Sequence, residues 1–295
     1  MSKVILVLSD ALRYDVAVAS MGYLGHLVET HQASLYKIIG ELPSMSRPMY
    51  ETVHTGLLSS EHGITANYIV RRSTKPNIFQ AAVQAGKTTA AAAYSWFSEL
   101  YNRSPYDRVD DREVDDDRLF IQHGRFYSED DYPDIELFAT AAMLVRRFSP
   151  DYLLAHPMGM DYIGEKFGSD SAQYRNQAIR QDMILAGLVP EWLLRSYTIL
   201  VTGDHGINAD GSHGGTTPEV REVPLFLIQP GLPGRGDSSE VVSHLQIAPT
   251  ILHLLGVPIP ETMRLPPLPE SRLLPDPTPP GSEASASSHL LESRL

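Results

Sequence analysis

Short, continuous apolar runs alternate along this chain with longer stretches in which apolar residues recur every three or four positions. The runs are Val4–Leu8, Thr88–Tyr94, Tyr152–Ala155, Thr198–Val201 and Pro224–Ile228. Runs of this length without polar alternation predict strands buried on both faces, as in a parallel sheet. The periodic stretches predict helices over Asn77–Gln84, closed by Gly86, and over Asp134–Phe148, which carries Ile135, Leu137, Phe138, Ala141, Met143, Leu144 and Phe148. A third helix is expected over Ala172–Leu188, stopping near Gly187 and Pro190, and a last one over His244–Leu255. Strands alternating with helices predict an α/β domain: a mostly parallel central sheet with helices on both faces. In such sheets chemistry collects at the carboxyl ends of the strands, where Asp10 and the pair Asp204-His205 stand.

Two segments lack this pattern. Tyr101–Asp117 is crowded with acids, including Asp107, Asp110, Asp111, Glu113 and Asp115 to Asp117, and reads as a solvated acidic loop or, alternatively, an insertion that shapes a substrate pocket. From Met263 onward proline and serine dominate, a composition that cannot bury a core. The expected division is a catalytic domain over 1–262 and a disordered tail over 263–295.

Net charge is −12 over 295 residues, which argues against a nucleic-acid polymer as partner. No apolar stretch reaches the roughly 18 residues that span a bilayer, and the first strand is too short for a signal peptide, so a cytoplasmic location is the default expectation. There is no cysteine, which removes disulfides, thiolate metal sites and a cysteine nucleophile.

Tyr197–Ile207 ends a buried strand on Asp204-His205, and His213 follows between glycine-rich neighbours. One carboxylate and two imidazoles suit zinc or manganese; the same residues could equally cap the next element. Asp10 closes the first strand, as a helix cap or as a further ligand. Ser46, just before an expected helix with Pro48 in its first turn, is either an N-cap or a nucleophile favoured by the helix N-terminus and an adjacent cation. Asn67 could donate to a phosphoryl oxygen. Asp161 and Glu165 are four apart, so one helical turn puts both carboxylates on one face, where they repel unless a cation or proton lies between them. His54, His62, His244 and His253 read as structural, and His156 as a strand-end cap or a support to the site. Trp96 and Phe97 read as core or pocket wall, and Arg47 as a substrate contact or a solvated side chain.

In order, these pieces resemble the alkaline phosphatase superfamily, and within it the type I phosphodiesterase/nucleotide pyrophosphatase family, with related patterns in the ethanolamine-phosphate transferases of GPI-anchor synthesis. The residues that carry the resemblance are Asp10; Pro43-Ser-Met-Ser-Arg-Pro48 with Thr55-Gly56; His62-Gly63-Ile64 with Asn67; Asp161-Tyr-Ile-Gly164-Glu165-Lys-Phe-Gly168; Asp204-His205-Gly206; and His213. It covers roughly residues 1–260. The resemblance implies an alkaline phosphatase-like three-layer sandwich and two divalent metal ions, zinc or manganese and conceivably magnesium. Asp10, Asp204 and His205 would hold one ion, with Ser46 facing it. Asp161, His213 and the residue at 165 would hold the other. It further implies attack by Ser46 on a small phosphorylated substrate, a phospho-enzyme, and release by water, with Asn67 on the phosphoryl oxygens. Glu165 departs from the pattern, because the family has His there; the extra carboxylate should shift preference from zinc toward manganese or magnesium. The sulfatase motif is absent around Ser44 and Ser46. The alternatives are a phosphomonoesterase, a phosphonate hydrolase or a phospho-group transferase on the same cradle, or a degenerate protein that binds a phosphorylated ligand. Oligomeric state is left open.

Overall fold

The computed structural model describes residues 3–269 and 271. Nine strands form one sheet: β1 (Lys3–Ser9), β2 (Ala33–Ile39), β3 (Thr89–Tyr94), β4 (Glu113–Asp115), β5 (His123–Tyr127), β6 (Tyr152–Ala155), β7 (Tyr197–Gly203), β8 (Glu222–Ile228) and β9 (Gly236–Val242), in the order β4-β5-β3-β6-β1-β7-β8-β2-β9. The block β5-β3-β6-β1-β7 is parallel throughout. β8 runs antiparallel to both β7 and β2, so β2 points the same way as β7. The carboxyl ends of β1, β6, β7 and β2 therefore share one edge.

Helices α1 (Tyr14–Ser20), α2 (Gly22–Glu29), α3 (Ser46–Thr55), α4 (Ser59–His62), α5 (Ile78–Gln84), α6 (Ser95–Tyr101), α7 (Asp134–Phe148), α8 (Gly159–Phe167), α9 (Ala172–Leu194), α10 (Pro218–Arg221) and α11 (Ile247–Leu255) complete the fold. Alternate residues of β1 go to opposite faces. Ile5 and Val7 join a core with α1, α2, α7 and α9, whereas Val4, Leu6 and Leu8 join one with α3, α5, α6 and α11. All five are fully buried, which is why β1 is apolar at every step. Among the described residues no helix is long and apolar enough to cross a membrane.

The long helix does not stop at Leu188. It runs through Pro190 to Leu194. Val189 and Trp192 are fully buried, and Arg146 on α7 pairs with Glu191 at 2.6 Å; packing of the last turn outweighs the hydrogen bond that proline removes. The last helix begins with a 3-10 turn at His244–Gln246. The acidic segment is not a free loop, since it contains β4 and supplies the antiparallel edge of the sheet. Met263 and Leu268 are buried in the second core, and Leu268 N–H donates to Thr250 Oγ1 at 2.9 Å. The packed body thus continues past residue 262. Residues 272–295, and with them most of the expected tail, lie outside the described residues.

Helix α3, which carries Ser46, is anchored by a buried carboxyl. Glu51 accepts hydrogen bonds from Tyr101, at 2.9 Å, and from Ser73. Burial pushes its pKa up to about 7, against the pull of those two hydrogen bonds. A pKa raised in the folded state stabilises fully below the unfolded value near 4.5 and loses that contribution as pH rises through about 7, a change of about 3 kcal/mol. Urea unfolding at pH 5 and pH 8 should show this loss in the wild-type chain. Glu51→Gln should make the loss smaller; an unchanged slope in the variant would assign the pH dependence elsewhere.

Candidate active site

Three neighbouring parallel strands deliver their next residue to one point. Asp10 follows β1, His156 follows β6, and Asp204-His205 follow β7. All four side chains are fully buried. His205 Nε2 lies 3.3 Å from Asp10 Oδ1 and 3.4 Å from Asp204 Oδ2, and His156 Nε2 lies 3.3 Å from Asp10 Oδ2. The turn after His205 needs Gly206, because a Cβ there would meet Glu219 O at 2.1 Å.

Hydrogen bonds fix the orientation of these groups. His205 Nδ1 donates to Gly206 O at 2.9 Å, which leaves Nε2 as the lone-pair nitrogen facing the carboxylates. Ala11 N–H donates to Asp204 Oδ1 at 3.0 Å, and the Tyr50 hydroxyl donates to Asp10 Oδ2. Their other oxygens, Asp10 Oδ1 and Asp204 Oδ2, have no hydrogen-bond partner, and the same holds for Asp161 Oδ1.

Asp161 comes from the first turn of α8, and the C-terminal end of that helix lies against the loop after β7: a Cβ at Gly168, where φ is +76°, would meet Ala209 O of that loop at 2.0 Å. The loop after β7 carries His213, whose ring stacks on His205 with centroids 4.4 Å apart. His213 Nε2 is 3.9 Å from Asp161 Oδ1 and 3.4 Å from Glu165 Oε1. The Glu165 side chain is half-exposed. Two sets of ligand atoms gather within 4.8 Å: Asp10, Asp204 and His205, and Asp161, His205 and His213. His205 belongs to both, and Glu165 stands just outside, against His213.

Ser46 is the first residue of α3, after Met45, and it makes no capping hydrogen bond. Its Oγ instead faces the cluster, 3.1 Å from His205 Nε2. Asn67 sits beside it; its Oδ1 accepts from Arg47 N–H at 3.1 Å, so Nδ2 is left to donate outward. Arg47 is buried rather than solvated. It pairs with Glu99 at 2.8 Å, donates to Asn67 O at 2.8 Å, and lies over Trp96 at 4.2 Å. Phe97 is core, stacked on Tyr50 at 4.4 Å.

Sequence reasoning passed over Tyr50 and undervalued His156. Both had a signal. Tyr50 is four residues after Ser46 on the same helix face, and His156 follows a buried strand as Asp10 and Asp204 do. His54, His62 and His244 lie outside both ligand groups: burial lowers their pKa to about 3, 4 and 4, and they are hydrogen-bonded to Tyr50 O, Thr52 Oγ1 and Gly203 O.

The electrostatics are those of a site short of positive charge. Burial drives Asp204 and Asp161 well above the ordinary carboxylate range, and the charge on Asp10 adds to both. Burial works in the same direction on Asp10, but His156 and His205 overcome it and hold that group low. His205 is lowered to about 4 by burial, partly offset by Asp10. Buried carboxylate oxygens without partners, gathered around an imidazole lone pair, are the donor set of a divalent cation. The residues present fit such a group.

The fold is alkaline phosphatase-like, a nine-stranded, mostly parallel sheet with a candidate metal centre at the carboxyl edge of its strands. Murine ectonucleotide pyrophosphatase/phosphodiesterase 5, as an inactive variant in complex with AMP, superimposes with a TM-score of 0.68 over 91% of this chain and 97% of its own, at 14% identity. A phosphonate monoester hydrolase from Silicibacter pomeroyi gives 0.61 over 91% and 76%, at 15% identity. The family description "Type I phosphodiesterase / nucleotide pyrophosphatase" matches residues 4–210, and the chain belongs to that family. Among curated relatives, the catalytic subunit of human GPI ethanolamine phosphate transferase 3 is 26% identical over 288 residues, which is 88% of this chain. The chain spans about a quarter of that relative's length.

Metal-free protein and metal-bound protein should respond to pH in opposite senses. With Asp161 and Asp204 raised in the folded state, the metal-free chain keeps their contribution at acid pH and loses it as pH rises. A cation requires both groups ionised, so its stabilisation grows with pH. At about a hundred times its Kd a bound ion adds about 2.7 kcal/mol, a rise of several degrees in Tm. Thermal scans with Mn or with chelator at pH 5 and pH 8 should show the metal-dependent gap widening at pH 8. Equal Tm with and without metal at both pH values would contradict this.

Proposed function

We propose that this chain cleaves phosphate esters, phosphodiester or pyrophosphate bonds, by attack of Ser46 on phosphorus. The observation that carries this reading is the position of Ser46 Oγ, at the N-terminus of α3 and 3.1 Å from His205 Nε2, facing buried carboxylate oxygens that have no other partner. Ser46 Oγ would form the new P–O bond as the ester oxygen of the leaving group departs, giving a phosphoserine ester that water then resolves. Asn67 Nδ2 would hold a phosphoryl oxygen, and the N-terminus of α3 would favour the negative charge that develops there. Tyr50 and His156 hold the Asp10 carboxylate in place, and Arg47 fixes Asn67. Divalent cations held by Asp10, Asp204 and His205 and by Asp161, His213 and Glu165 would lower the pKa of the serine hydroxyl and of the attacking water and offset phosphoryl charge.

A second reading has one specific support, the 26% identity with the human transferase over 288 residues. In it an alcohol, rather than water, takes the group from Ser46. Turnover of p-nitrophenyl phosphate, bis-p-nitrophenyl phosphate, a dinucleotide and phosphonoacetate, with Mn and Zn supplied and an alcohol acceptor present or absent, separates the readings. Hydrolysis of the diesters should dominate; product captured by the alcohol would favour transfer. Ser46→Ala should lower kcat by at least about a thousandfold and abolish any trapped phosphoserine. Unchanged turnover would remove Ser46 from the role of nucleophile.

Glu165 sets the metal preference. A carboxylate adds charge and hardness where the family carries imidazole, so manganese or magnesium should support more activity than zinc. Glu165→His should move the preference toward zinc. Purified wild-type protein holding two tight zinc ions would contradict the assignment.

A further inference from the structure

Away from the reaction centre lies a cavity of about 470 Å³, between the 101–117 segment and α7. None of the metal-cluster residues lines it. Its walls carry four arginines, Arg108, Arg112, Arg125 and Arg147, in a chain of net charge −12. Three of the acids that made this segment look like a solvated loop are turned to other uses. Asp107 accepts from the backbone N–H groups of Val109 and Asp110, Asp111 accepts from Asp107 N–H, and Asp116 pairs with Arg118. These three fold the segment; of its acids Glu113 lines the cavity, 3.9 Å from Arg125.

Two of the guanidiniums are already engaged. Arg125 pairs with Asp115 at 2.9 Å, and Arg108 pairs with Glu129 at the rim. Arg112 and Arg147 have no ion pair among the described residues; the only contact of the Arg147 guanidinium given by the structure is with the Phe148 ring at 5.1 Å. The remaining wall is aromatic and apolar. Tyr132 stacks on Tyr127 with centroids 4.7 Å apart and planes 14° from parallel, and Tyr106, Leu137 and Met143 continue that surface. Guanidiniums give planar, bidentate recognition of phosphate, and aromatic faces take planar or apolar groups.

We propose that this cavity is a second binding site, separate from the reaction centre, for a small molecule that joins a phosphate or phosphonate anion to an aromatic or apolar body. Arg112 and Arg147 bind the anion, and the tyrosines bind the body. The site also has a path to the reaction centre. Tyr127 donates to His156 O at 2.7 Å, and His156 lies against Asp10. Ligand packed on the Tyr127–Tyr132 stack therefore leans on a residue that supports the reaction centre.

Phenylphosphonate, which has no ester bond to cleave, is a suitable probe. Calorimetric titration of the full metal-loaded chain should show two sites, one at the reaction centre and one in the cavity. Arg112→Ala/Arg147→Ala should lose one of them, or weaken it at least tenfold, while turnover of a diester without added phenylphosphonate stays at the wild-type level. Tyr132→Ala should weaken the same site and leave the other intact. Inorganic phosphate should bind the cavity at least tenfold more weakly than phenylphosphonate. Identical isotherms for the wild-type and double-arginine chains would overturn the proposal. Equal binding of inorganic phosphate and phenylphosphonate at the cavity would overturn its aromatic part. If the double variant unfolds on purification, Arg147→Gln alone, at an exposed helix end, gives the same comparison.

Discussion

Asp10, Asp161 and Asp204 place three buried carboxylates around the His205 ring, and one oxygen of each has no hydrogen-bond partner. Taking an ionised carboxylate out of water is expensive unless something returns the lost interaction. Here the nearby dipoles return only part of it. Ala11 N–H satisfies one oxygen of Asp204 and Tyr50 one oxygen of Asp10, with His156 Nε2 3.3 Å from the latter, and the other oxygen of each is left open toward a common point. Two of the three groups respond by moving toward the protonated form. Much of the surrounding architecture makes sense as the support of this charge cluster: the shared strand edge, the tautomer fixed on His205, the tight turn at Gly206, and the buried Arg47 that orients Asn67.

The parallel core was legible because its physical cause is local. A strand buried on both faces is apolar at nearly every position, and the central residues of β1, β3, β6 and β7 follow that rule, with Thr198 and Thr202 of β7 the buried polar exceptions. The edge elements were not legible for the complementary reason. β9 is mostly exposed, and β4 has three residues inside an acidic stretch, so neither carries a burial pattern. β2 is buried but interrupted by Ser34 and Lys37, which bond Arg235 N–H and Glu222. The overrun of α9 through Pro190 depends on where Trp192 finds its pocket, a tertiary fact that a proline rule cannot contain.

The site divides along the same line. Asp10, Asp204 and His205 follow from one topological rule, that strands in a parallel sheet end at the functional edge. Ser46, Asn67, Asp161 and His213 were reached through the order of motifs, and the fold brings them to the same edge. What spacing could not reveal is how residues are shared and oriented. His205 bridges both ligand groups, Glu165 leans on His213 from a half-exposed position, and Arg47 is inside rather than outside. A pocket at the 101–117 segment was readable only as the alternative to a solvated loop, because its character depends on which charges face inward and the sequence there records an excess of acid.

The central claim is that the unpartnered oxygens of Asp10, Asp161 and Asp204 are cation ligands. Anomalous diffraction from crystals grown with manganese, measured on both sides of its absorption edge, tests it directly. The account predicts two peaks, one among Asp10, Asp204 and His205 and one between Asp161 and His213. A map without peaks at saturating manganese, with Asp204 and Asp161 protonated and hydrogen-bonded to neighbouring side chains or water, would contradict it.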